Sequence, residues 1–132
     1  MYNKIVLDHF QNPRNLSEMK NYDAMGMGAS PVCGDVMTLY LKLTNDHIEK
    51  ASYTTMGCGA AIASGSLLTE MLKGKSLAEA KKITSPHLVE ALGGLPKIKL
   101  HCPELALEAF HMALKDLEMK KTLAGKTVQE VK

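Results

Sequence analysis

Three cysteines, Cys33, Cys58 and Cys102, each fall where a run of regular structure should begin or end. Cys58 lies in Thr54 to Leu72, TTMGCGAAIASGSLLTEML, after Ile48 to Met56, which reads as a strand. Ala60 to Leu72 is small or apolar on nearly every side, the pattern of a helix buried all round. Gly57 and Gly59 permit positive φ about the thiol. The spacing therefore predicts Cys58 at the N-terminus of a buried helix, where the dipole and unpaired N–H groups favour thiolate over thiol. Cys102 directly precedes Pro103, which predicts it as the N-cap of the last helix and a second thiol of lowered pKa. Cys33 belongs to Pro31-Val32-Cys33-Gly34-Asp35, with a carboxylate two residues on, and His101 adjoins Cys102.

An odd number of widely spaced cysteines argues against a disulfide framework. In a reducing compartment such residues are buried, metal-binding or catalytic. Three of them at element boundaries predict a shared metal or cluster site. The close Cys-x-x-Cys pairs that close structural zinc sites are absent, and so is the His-x-Glu with Cys-x-x-Cys of zinc deaminases. Stable iron–sulfur proteins supply four thiolates. Three thiolates with one carboxylate and one imidazole make a set that can hold a cluster and also give it up. Lys73-Gly74-Lys75-Ser76 suggests a phosphate loop, but Thr69 stands where its first glycine must be and no strand precedes it. His9, His47, His87 and His111 read as surface or packing residues, and the nine methionines as core filler.

The elements that must position these groups follow from periodicity. Tyr2 to Phe10 is an amphipathic helix stopped by Asn12-Pro13. Arg14 to Pro31 reads as a loop with a short strand near Ala24 to Gly28. Asp35 to Leu43 alternates, with Met37, Leu39, Leu41 and Leu43 on one face, and Thr44-Asn45-Asp46 turns it into Ile48 to Met56 as an antiparallel hairpin. Ser76 with Glu79 is a capping box for a helix to about Ile83, and Ser85 as N-cap with Pro86 opens another that Gly93-Gly94 ends. Leu95 to Leu100 should be extended. A long helix then runs from Pro103 to about Lys120, burying Leu107, Phe110, Leu114 and Leu117.

The 132 residues, 45% of them hydrophobic, suffice for one modest core, so the expectation is a single domain over 1–132 with about 122–132 a frayed tail. With a net charge of only +2 and scattered lysines, no basic stripe interleaves with aromatics, which argues against nucleic acid. No stretch is apolar and long enough to span a bilayer, and MYNKIVLDHF lacks a signal-peptide pattern, so a cytoplasmic protein is expected.

With LDHFQNPRN at 7–15, CGDVM at 33–37, GCGAAIAS at 57–64, LLTEMLKGKSLAEA at 67–80 and KLHC at 99–102, the chain resembles the U-type iron–sulfur cluster assembly scaffolds, IscU and the N-terminal domain of NifU. The resemblance implies an α+β fold, a small antiparallel sheet covered by helices, with a labile [2Fe–2S] cluster built near one end. It places the cluster ligands on Cys33, Cys58 and Cys102, the Cys-x-Asp aspartate on Asp35 and the neighbouring histidine on His101. Any of the three cysteines is a candidate sulfur acceptor. Sulfur would come from a cysteine desulfurase and the cluster would pass to recipient apo-proteins, the chain acting as a scaffold rather than an enzyme. Monomer and cluster-linked homodimer are both expected states. Three thiolates with His101 also suit Zn2+ in the cluster-free form, and the alternative function is a zinc-bound persulfide acceptor of the SufU type. Those relatives carry an insertion between the second and third cysteines that the interval from Cys58 to Cys102 lacks, which favours the scaffold. A small zinc-stabilised interaction domain is the third reading. The family's Leu-Pro-Pro-Val-Lys motif, which engages an Hsp70-type chaperone, stands here as Leu95-Pro96-Lys97-Ile98-Lys99, a departure that weighs against chaperone-driven release. For the fourth position, Gly34 frees the turn to bring Cys33 and Asp35 to one metal, which favours Asp35 when a cluster is bound; His101 fits better as a zinc ligand or hydrogen-bond donor to sulfur.

Overall fold

The computed structural model of the chain describes residues 2–31 and 34–131, with side chains described as far as Lys120. Strands β1 (Ala24–Ala29), β2 (Val36–Thr44) and β3 (His47–Met56) form an antiparallel sheet in that order. The alternation of β2 is realised: Met37, Leu39 and Leu41 are buried, opposite Thr55, Tyr53 and Ala51 of β3. The hairpin turn is made by Asn45 and Asp46, both at positive φ (51° and 62°), the backbone that matches the twist of the strands it joins.

β1 turns Ala24, Gly26 and Gly28 to the same buried face, opposite Leu41, Leu39 and Met37. The two glycines there let the last helix, α5 (His101–Val131), lie directly on the strand. A Cβ on Gly26 would come within 2.1 Å of Ala113 N and 2.3 Å of Ala109 O, so no other residue fits without moving the helix. Helix α2 (Gly59–Leu72) covers the β3 side, where the Tyr53 hydroxyl donates to Ile62 O at 2.6 Å. As its all-round apolar sequence requires, α2 is buried along most of its length. Its hydroxyls are satisfied internally, Ser64 by Ala60 O and Thr69 by Gly65 O.

Helix α1 (Lys4–Gln11), capped by Asn3, packs on α2 through Val6 and His9. Ile5 and Phe10, although apolar, are 44% and 42% exposed. His9 Nδ1 meets Ser66 Oγ at 2.7 Å, and that oxygen also accepts from Arg14 N at 2.9 Å.

The capping box of Ser76 and Glu79 starts α3, which is shorter than expected (Leu77–Ala80). The next helix, α4 (Ser85–Ala91), is capped by Thr84 rather than Ser85; Thr84 and His87 form the box, which leaves Ser85 and Pro86 inside the first turn. Gly93 and Gly94, at φ 80° and 100°, end it. Residues expected to be extended instead form a 3-10 turn at Lys97–Lys99, and α5 begins at His101, two residues before the expected Pro103. At its far end α5 is assigned to Val131, past the expected Lys120 boundary. Among the described residues, no helix is long and apolar enough to cross a membrane.

Candidate metal centre

One end of the sheet gathers three chain segments. Before β2, Gly34 takes φ 73° with open space around its α-carbon, so conformation alone demands glycine there. Its N–H donates to Ser30 O at 2.8 Å, and Ser30 N donates to Asp35 O at 2.8 Å, a turn that fixes Asp35 at 7% exposure. After β3, Cys58 is the N-cap of α2 with extended backbone (φ −78°, ψ 173°), and its sulfur makes no capping bond. Cys58 N donates to Asp35 Oδ2 at 3.4 Å, a long hydrogen bond that ties the two segments.

The flanking glycines do not work as the sequence suggests. Neither Gly57 nor Gly59 has positive φ. Space is tight at Gly57, where a Cβ would lie 2.8 Å from Asp35 Cγ, and less so at Gly59, where a Cβ would lie 3.3 Å from the ring of the exposed Phe10.

The third segment is the first turn of α5, which buries Cys102 completely and brings its Sγ to 3.6 Å from that of Cys58. Asp35, Cys58 and Cys102 thus offer one carboxylate oxygen and two sulfurs all within 4.8 Å of one another. A divalent ion with mixed sulfur and oxygen ligation suits that set. His101, next to Cys102 in the chain, is not one of these converging groups, and Cys33 lies outside the described residues.

Burial changes the chemistry expected of Cys102. Loss of water pushes its thiol up, reinforced by the hydrogen bond that the thiol donates to Cys58 Sγ and by the negative charges of Cys58 and Asp35, with Lys99 opposing. The expected lowering by the helix start is overturned, because desolvation outweighs the dipole. Two groups that no motif singled out complete the surroundings. Lys99 is held above its usual range chiefly by the charge of Cys58, so its ammonium stands beside that sulfur. Tyr2 is raised by burial first and by the Cys58 charge second, which places its hydroxyl near the same thiol. Lys99 belongs to KLHC and to Leu95-Pro96-Lys97-Ile98-Lys99, but neither assigned it to this site. Nothing local pointed to Tyr2.

Residues 1–124 match the family model described as the NifU-like N-terminal domain. An iron–sulfur cluster assembly scaffold protein IscU of Archaeoglobus fulgidus is 51% identical over 116 residues, covering 88% of this chain and 76% of that protein. IscU of Escherichia coli is 45% identical over 124 residues, covering 91% and 96%. Among solved structures, a scaffold protein for the SUF system from Fervidobacterium islandicum superposes with a TM-score of 0.72, covering 86% of this chain and 96% of that one. At 19% identity it shares the fold.

Proposed function

The chain belongs to the family of NifU-like N-terminal domains, and from that premise we propose that it is a single-domain scaffold on which a labile [2Fe–2S] cluster is assembled and from which it is passed to recipient apo-proteins. The observation that carries this reading is the convergence of Asp35, Cys58 and Cys102 within 4.8 Å from three separate segments. Two soft sulfurs with one hard oxygen bind iron without locking it in place. Cys33 is assigned as the third thiolate from its place in the Cys-Gly-Asp motif. Iron and sulfide are the substrates, sulfur arriving from a cysteine desulfurase, and the protein acts as a carrier rather than an enzyme.

Asp35 is the proposed exchangeable fourth ligand. Gly34 sets its turn and Cys58 N–H orients its carboxylate, whereas His101 sits outside the converging set. His101 is the proposed zinc ligand or sulfur hydrogen-bond donor. The same three converging atoms would also seat one Zn2+ ion in the cluster-free protein, and that observation supports the second reading, a zinc-bound persulfide acceptor.

Anaerobic reconstitution with ferrous iron and sulfide, followed by metal analysis and visible absorption, separates the two. The scaffold reading expects iron with acid-labile sulfide, and it expects Cys33→Ser, Cys58→Ser and Cys102→Ser each to lose stable cluster. Zinc retained without iron, together with stimulation of a desulfurase, would establish the second reading instead. Asp35→Ala should slow transfer to an apo-ferredoxin, and a change confined to His101→Ala would move the fourth position there.

A further inference from the structure

The sulfurs of Cys58 and Cys102 stand 3.6 Å apart, yet their surroundings differ. Cys58 is half-buried at the mouth of α2, while Cys102 is sealed beneath it. An external sulfur donor therefore reaches Cys58 first of the two. The nearest partner for Cys102 in this pair is Cys58 Sγ itself.

We propose that this pair reduces its own sulfur. Cys58 takes a sulfane sulfur as a persulfide, and Cys102 resolves it to free sulfide and an intramolecular disulfide. The inference rests on the scaffold reading and names how its sulfide substrate is generated. Cys102 Sγ attacks Cys58 Sγ, the inner sulfur of the persulfide. The Cys58–Cys102 S–S bond forms as the bond to the outer sulfur breaks, and the outer sulfur leaves with the bonding pair. The proton of the Cys102 thiol passes to the departing sulfur, so the products are a disulfide and hydrogen sulfide. The sulfane sulfur gains two electrons, one from each cysteine sulfur, and no outside reductant enters the step. A dithiol then resets the pair by ordinary exchange. The sulfurs must close from 3.6 Å to about 2.05 Å, a shift of side-chain size. The site thereby yields sulfide beside Asp35, where iron is to be bound.

The test uses the full chain, stripped of metal by chelation, under anaerobic conditions and free of added thiol. It is treated with inorganic polysulfide, passed through a desalting column and examined by sulfide assay and peptide mass mapping. Wild type should release one sulfide for each Cys58–Cys102 disulfide formed, and Cys33→Ser should behave the same way. Cys102→Ser and Cys102→Ala should keep the extra sulfur on Cys58 and release none. Should both Cys102 variants fail to fold, the sulfide-to-disulfide ratio of wild type and Cys33→Ser decides. A wild-type protein that keeps its Cys58 persulfide, that moves the sulfur to Cys102 without a disulfide, or that links Cys33 instead overturns the proposal. Reconstitution from ferrous iron and inorganic sulfide bypasses the persulfide. A cluster formed there, with no persulfide cleavage, sinks this inference alone, whereas no cluster there sinks the scaffold reading.

Discussion

A methyl group added at Gly57 would lie 2.8 Å from Asp35 Cγ and 2.9 Å from Oδ2. Ordinary contact begins at 3.4 Å, so the carboxylate must retreat by the difference, 0.6 Å or more. The backbone at Gly57 lies outside the positive-φ region, so alanine can adopt it and the sharpest conflict falls on that side chain, with Ala61 Cβ a second tight neighbour at 3.1 Å. Retreat removes the hydrogen bond from Cys58 N, already long at 3.4 Å, and draws Asp35 out of the converging set. For Gly57→Ala the loss of stability should be about 1 kcal/mol, a fall in Tm of roughly 3–4 °C for a domain of this size. The effect on function should be the larger one. Cluster-loaded protein mixed with an apo-ferredoxin, followed by visible absorbance, should transfer more slowly in Gly57→Ala, as in Asp35→Ala. The double variant should be no slower than Asp35→Ala alone, because the glycine acts through the carboxylate. Transfer at the wild-type rate in Gly57→Ala, or additive slowing in the double variant, would refute the reasoning.

Burial, with the nearby Arg14 charge, lowers the pKa of His9 from its ordinary 6.5. The unfolded chain therefore binds the proton more readily, and stability is full above about pH 6.5 and lost as pH falls below it, by at most about 1.4 kcal/mol per pH unit for one proton. Thermal midpoints from about pH 7.5 to about pH 5.5 should show that slope, and His9→Gln should flatten it. Gly26→Ala places a methyl 2.1 Å from the backbone nitrogen of Ala113 and should destabilise the fold by about 3 kcal/mol or more, read by urea unfolding; an unchanged midpoint would mean that α5 can lift off β1 freely. Alkylation of the metal-free protein, mapped by peptide, should modify Cys58 more than about tenfold faster than Cys102, the ratio expected if Cys102 reacts only after a local opening of ~1.4 kcal/mol or more. Equal rates would contradict the burial of Cys102.

Features that depend on neighbours in sequence were the legible ones. The alternation of β2, the all-round apolarity of α2, the box of Ser76 and Glu79 and the stop at Gly93-Gly94 are local patterns, and each appears in the structure. Of the five groups that the sequence sets at element ends, Asp35, Cys58 and Cys102 converge, His101 is not among them, and Cys33 lies outside the described residues. What was misread depends on packing. Whether Thr84 or Ser85 caps α4 is a contest between adjacent hydroxyls that only the backbone path decides. Glycines 57 and 59 announce conformational freedom in a sequence, but here they make room for Asp35 and Phe10, which lie far off in the chain. Cys102 is fully buried at the start of α5, and that burial, which no local pattern shows, reverses the direction in which its thiol shifts.

Asp35, Cys58 and Cys102 come from stations of the chain separated by 23 and 44 residues. Anything that grips all three closes both intervals, like a rivet through three plates. For a permanent cross-link over the longer interval, chain entropy alone would contribute about 4 kcal/mol. A labile cargo delivers such a restraint only while it stays, and its contribution grows with how tightly it is held. On the scaffold reading, the hairpin and the start of α5 would therefore be stiffened by the load and would relax when it departs. Grip and rigidity rise and fall together, so a variant that clings to its cargo should also melt later when full, and a recipient that draws the cluster away unfastens the plates as it does so.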